Sequence, residues 1–228
     1  MPMMIFMTRL LILLSLVLGF HATAQTINVR TLALRTGELP EVYLRNGEKY
    51  EQLRFSAAQP SSTVRANRAN PLPLYQREKD AEGNDAYVVA YKLKIPKGAK
   101  GILLLGWKSG DQAKYIVIKD DFGKARFNDW LLINTSTKSI GFKVSEKGKP
   151  FIVKAGSSDI YSIKKVKQGK GTSVMAQAMF KGKKKIFFST YWPVLPGKRT
   201  LILFIDDGRK ILVKRISDKL VQAKKKQP

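Results

Sequence analysis

The chain contains no cysteine and a single histidine, His21. Without cysteine there is no disulfide, no thiolate nucleophile, and no cysteine-based metal or lipid attachment. His21 falls within an N-terminal segment expected to be removed, so the product lacks imidazole as well. Together these absences exclude Ser–His–Asp and Cys–His catalysis, the usual zinc sites, and haem ligation by histidine or cysteine. Carboxylates are scarce, with 17 Asp and Glu against 42 Lys and Arg. Two-carboxylate glycoside hydrolysis needs an acidic pair facing across a cleft. The adjacent pairs Asp120-Asp121 and Asp206-Asp207 would point to opposite faces of a strand, and Asp206-Asp207-Gly208 reads as a hairpin turn. No phosphate-binding loop or dinucleotide fingerprint occurs, and the many serines and lysines form no known dyad motif. The expectation is therefore a protein with no catalytic residue, no metal and no cofactor.

What is present begins with an export signal. Arg9 is the only charge among residues 1–24, an apolar run follows over 10–20, and Ala22-Thr23-Ala24 supplies the small residues of a cleavage site. This order is that of a secretory signal peptide, with Gln25 as the expected new N-terminus. The run is too short to span roughly 30 Å of hydrocarbon at 1.5 Å per residue. No later stretch reaches that length, so no transmembrane anchor is expected in the exported chain. A disulfide-free exported chain of this size fits a bacterial envelope, in the periplasm or outside the cell.

After residue 24 the pattern is of short strands closed by turns. Tyr91, Leu93 and Ile95 alternate with Lys92 and Lys94, the period of a strand with one wet face. Strands are predicted over 27–34, 41–46, 49–55, 72–77, 86–95, 101–107 and 114–120, and again over 130–134, 140–145, 151–154, 160–166, 173–181, 185–191, 200–205 and 210–216. Turn formers such as Asn46-Gly47, Pro96-Lys97-Gly98, Ser109-Gly110-Asp111 and Asp207-Gly208 separate them. No sustained helical period occurs. Landmarks recur at a spacing near 100 residues: Gly47 with Gly148, Ser62 with Ser158, Pro96 with Pro196, Asp120 with Asp218. The fold class is thus all-β, as two tandem antiparallel β-sandwich (Ig-like) domains over 25–121 and 122–218, with a basic tail over 219–228. The runs 102–105 and 201–205 are apolar on both faces, which predicts cover on both sides.

Charge is uneven between the halves. The net charge is +25; residues 25–120 hold 16 basic against 10 acidic residues, while residues 121–228 hold 25 against 7. Lysines outnumber arginines 30 to 12, a bias toward mobile point charges over bidentate recognition. The candidate anion-binding patch is Lys164, Lys165, Lys167 and Lys170 with Lys181, Lys183, Lys184 and Lys185. The two clusters merge if the strands at 160–166 and 185–191 abut. Trp107, Trp130, Tyr191 and Trp192 stand beside apolar runs, where such rings serve a core; the other role open to them is stacking on sugars or bases.

The stretch Phe127-Asn128-Asp129-Trp130-Leu131-Leu132-Ile133-Asn134-Thr135-Ser136 and the Pro–Gly turn before each apolar strand resemble uncharacterised exported bacterial proteins of two tandem β-sandwich domains. The resemblance implies a scaffold and no activity. The expected function is a non-catalytic cell-envelope protein, a binding or structural module with weak electrostatic affinity for anionic envelope polymers or another envelope protein. Nucleic acid is set aside, because export removes the protein from it. The alternatives are a periplasmic assembly chaperone-like protein, or a polysaccharide hydrolase with an unrecognised carboxylate pair.

Overall fold

The computed structural model describes residues 25–120, 129–163, 170–194 and 198–219. Sixteen strands and no helix occupy them. Residues 1–24, the boundary stretch 121–128 and the tail from 220 lie outside the described residues.

Sheet I holds β4 (Val64–Asn67), β1 (Thr26–Ala33), β7 (Gly101–Ser109) and β8 (Gln112–Lys119), in that order. Sheet II holds β3 (Lys49–Leu53), β2 (Val42–Asn46), β5 (Leu72–Lys79) and β6 (Asp85–Leu93). The later residues repeat the arrangement. Sheet III is β12 (Ser158–Ser162), β9 (Asp129–Asn134), β15 (Lys198–Asp206) and β16 (Ile211–Lys219). Sheet IV is β11 (Phe151–Val153), β10 (Ile140–Val144), β13 (Gly171–Phe180) and β14 (Lys183–Pro193). Adding eight to each strand number of sheets I and II gives the orders of III and IV.

The sheets are not purely antiparallel, which corrects the sequence expectation. β1 pairs with β7 in parallel, and so does β9 with β15. The reason is directional. Successive strands alternate in direction as the chain crosses between sheets, so two odd-numbered strands run the same way and can meet only in parallel. A second correction is β4, whose Val-Arg-Ala-Asn is too short and polar to read as a strand. A third is the strand expected at 160–166, which forms instead over Ser158–Ser162.

Three apolar cores hold the layers in the order II–I–III–IV. Ile27, Val29, Ile102 and Leu104 of sheet I meet Val42, Leu44, Leu72 and Leu74 of sheet II. Trp130, Leu132, Ile202 and Phe204 of sheet III meet Phe142, Val174 and Ala176 of sheet IV. The third core joins the two halves: Leu32, Leu103 and Leu105 pack with Leu131, Ile133, Leu201, Leu203 and Ile216. β7 and β15 thus bury both faces, as their unbroken apolar runs require.

Candidate functional site

The β13–β14 hairpin turns on Lys181 and Gly182, whose φ angles are +48° and +76°. Positive φ at both central residues is the two-residue turn whose twist matches its flanking strands. Glycine adopts it at no steric cost, whereas Lys181 is a side-chain-bearing residue held there by the ladder on either side. Lys181, Lys183, Lys184 and Lys185 are all exposed. Register places Lys184 opposite Met179, and Lys183 and Lys185 opposite Phe180 and Ala178. Lys138 adds a fifth cation at this end, its Nζ 5.4 Å from the centroid of the Phe180 ring. The four strands of sheet IV contain no Asp or Glu.

Of the other lysine cluster only Lys170 is among the described residues; Lys164, Lys165 and Lys167 lie outside the described residues. Lys170 is exposed at the far end of the same hairpin, its carbonyl accepting from the Val194 amide at 3.1 Å. Eleven rises of about 3.3 Å each separate it from Lys181 by roughly 35 Å along the strand. Among the described residues the two strands do not pair with each other: β12 pairs with β9 in sheet III, and β14 with β13 in sheet IV.

The aromatic candidates serve mainly as core. Trp130 is buried, and Trp192 meets it edge-on at 5.7 Å while the Arg215 guanidinium lies over the Trp192 ring. Trp107 packs against the core between the halves. Tyr191 is exposed but laid over Gly171, where its hydroxyl donates to the Gly171 carbonyl at 2.8 Å. Asn134 opens a glycosylation-type triplet, yet it is buried and its Nδ2 donates to the carbonyls of Lys138, Val153 and Lys154. Its amide is consumed by scaffold.

Sequence reasoning missed a charged cluster at the junction of the halves. Arg30 on β1 makes bidentate contacts with two carboxylates: Nε and Nη2 to Asp120 at 2.7 and 3.1 Å, Nη1 and Nη2 to Asp218 at 2.8 and 2.9 Å. Arg199 on β15 donates a further hydrogen bond to Asp218. The four side chains are nearly buried and sum to no net charge. Burial disfavours charge on Arg30, but the hydrogen bonds of Asp218 and Asp120 outweigh it and raise its pKa. Burial prevails at Arg199, which is lowered despite Asp218. The recurrence of Asp120 and Asp218 at equivalent strand ends was the one available signal. The geometry ties the halves together, and Arg30 and Asp218 also line a small concavity of about 190 Å³ with Ser61, Ser62 and Ser217.

The acidic candidates have local duties. The Asp207 carboxylate accepts from the amides of Lys210 and Arg209, and these bonds hold it below the usual carboxylate range. Asp206 caps the same turn through the Gly208 amide. Glu38 and Asp111 line one open concavity of about 630 Å³ with Leu39, Tyr91 and Lys108; both lie exposed outside the strands. Compared with known protein families and with curated proteins, the chain matches none.

Proposed function

We propose that the chain is an exported, non-catalytic module of a bacterial envelope, built as two tandem Ig-like domains over 25–121 and 122–218, and that its second half attracts anionic polymers. The observation that carries the reading is the exposed tip of the β13–β14 hairpin. Lys181, Lys183, Lys184 and Lys185 project there from a sheet whose strands hold no carboxylate. Hydrated lysines on an open surface attract through a screened field rather than a shaped pocket. Screening falls from about 8 Å at physiological salt to about 3 Å at 1 M, so binding of this kind weakens steeply as salt rises. The scaffold supports the reading, because Asp120, Asp206, Asp207 and Asp218 are engaged in structure.

Retention on heparin tests it. The unaltered chain should elute at high salt, and changing the four lysines to glutamine should bring elution well forward with the melting temperature unmoved. Removing four exposed cations of the first half, Arg45, Lys49, Arg54 and Arg65, should shift elution much less. Equal shifts would assign the retention to net charge alone and overturn the hairpin as the site.

A further inference from the structure

Strand register builds the outer face of sheet IV in rows. Ile152 stands opposite Gly141, Gly141 opposite Gln177, and Gln177 opposite Ile186, so one row crosses all four strands. The adjoining row pairs Met179 with Lys184. Ile152, Met179 and Ile186 are 57, 54 and 53 % exposed. One such residue is ordinary on a soluble surface; three on one face of one sheet form a patch. Gln177, which should interrupt it, is only 8 % exposed. Its side chain lies in the notch left by Gly141, with Cγ and Nε2 each 3.1 Å from where a Cβ would stand. The result is a groove of about 450 Å³ lined by Ile152, Met179, Pro150 and Lys184 among others.

Within the strands of this sheet the charge has one sign, and Glu146, just past β10, shares a hollow with Lys143, Met175 and Ser189 at the far side. Lys184 and Lys143 stand on this outer face, Lys181 sits on the turn at one end of it, and Lys183 and Lys185, opposite Phe180 and Ala178, start from the other face at that same end. A hydrated polyanion would match the lysines but gains nothing from exposed Ile152, Met179 and Ile186. A second copy of the face would bring lysines against lysines. An anionic lipid surface satisfies both features, with phosphates for the cations and the acyl boundary for the apolar row. Lysine stems can lie along apolar surface while their heads stay among headgroups.

We infer that the outer face of sheet IV docks on a bilayer rich in anionic phospholipid. Ile152, Met179 and Ile186 enter the headgroup boundary, and Lys184, Lys143 and the turn residue Lys181 meet the phosphates. This rests on the electrostatic reading of the hairpin and adds to it a requirement for the apolar row.

The test uses residues 25–228, which include every described strand and core. The chain is floated with vesicles of phosphatidylglycerol and phosphatidylethanolamine, or of phosphatidylcholine alone, at about 0.15 M and about 1 M salt. Heparin retention is measured in parallel. The unaltered chain should bind the anionic vesicles and not the neutral ones. The triple variant Ile152→Ser, Met179→Ser, Ile186→Ser should lose roughly tenfold or more of that binding with heparin retention unchanged. If the triple variant melts early, single Ile152→Ser and Ile186→Ser, from opposite edges of the sheet, should each show part of the loss at an unchanged melting temperature. Vesicle binding indifferent to these changes overturns the inference and leaves the polyanion reading standing. Heparin retention without vesicle binding does the same. Loss of both in the unaltered chain overturns the electrostatic reading beneath it.

Discussion

Sheets II and IV occupy the same place in their halves, with the same strand order, yet their outer faces are finished differently. On sheet II, Tyr43, Tyr50, Tyr75 and Tyr87 close over the strands: Tyr50 stacks on Tyr87 with centroids 3.9 Å apart, and Tyr75 and Tyr43 meet them edge-on at 5.0 and 5.2 Å. Tyr43 is buried by its neighbours, and its hydroxyl donates to Glu41 at 2.9 Å. Charges there are matched: Lys79 and Arg77 both reach Asp85, and the Lys79 contact holds that carboxyl below its ordinary range. Sheet IV has neither device. Its exposed isoleucines and methionine contact no such cover, and its lysines share the sheet with no carboxylate. The difference is one of degree, since Val89 beside Tyr75 is itself 48 % exposed, but sheet IV leaves three such side chains open on a sheet whose strands carry charge of one sign.

That contrast holds only while the two halves are one body, and the largest expected effect tests this. Arg30→Met removes the guanidinium that clamps both Asp120 and Asp218. Breaking a buried ion pair from one side costs about 3–5 kcal/mol, because the abandoned carboxylate stays out of water. Urea denaturation should show that loss. Adding Asp120→Asn should recover much of it, since Arg199 and Asp218 remain as a neutral pair. Failure of the second change to rescue would attribute the loss to packing. A smaller effect sharpens the comparison directly. Tyr50→Ala removes one stacked and one edge-on aromatic contact, worth about 1–3 kcal/mol in all, and should leave heparin retention as it was. A changed retention would mean that the tyrosine face also binds.

Local pattern made the strands and turns legible: fifteen of the sixteen were visible from alternation and from Gly and Pro punctuation. Pairing was not. The parallel β1–β7 and β9–β15 ladders join strands far apart in sequence, and no local signal carries that register. Arg30 misleads for a related reason. In β1 it alternates with Val29 and Thr31 as a solvent-facing residue would, and its face is covered only because sheet III lies on it. At the candidate site the lysine run 181–185 was plain, but its apolar companions come from three strands. The ladder shifts by one residue between Ala176 and Gln177. Beyond that bulge Phe187 and Phe188 both pack on the core while Ile186 turns outward. An apolar run Ile186-Phe187-Phe188 shows nothing of which residue is expelled.

The smallest expected effect bears hardest on the comparison. If Ile186 is spare surface, replacing it with serine should change stability by no more than about 0.5 kcal/mol, as substitutions away from cores do. Its side chain is more than half exposed and belongs to none of the three cores, and its partner Gln177 makes its close contact with Gly141 instead. Tyr50→Ala on the corresponding sheet should cost several times more, because that ring lies between two others. Measured side by side in the same denaturant series, the two substitutions rank how far each outer face contributes to folding. A loss above about 2 kcal/mol for Ile186→Ser would be the size of a buried-core truncation. It would place sheet IV's outer row inside the folding core, and the difference between the two faces would then be one of composition rather than of use.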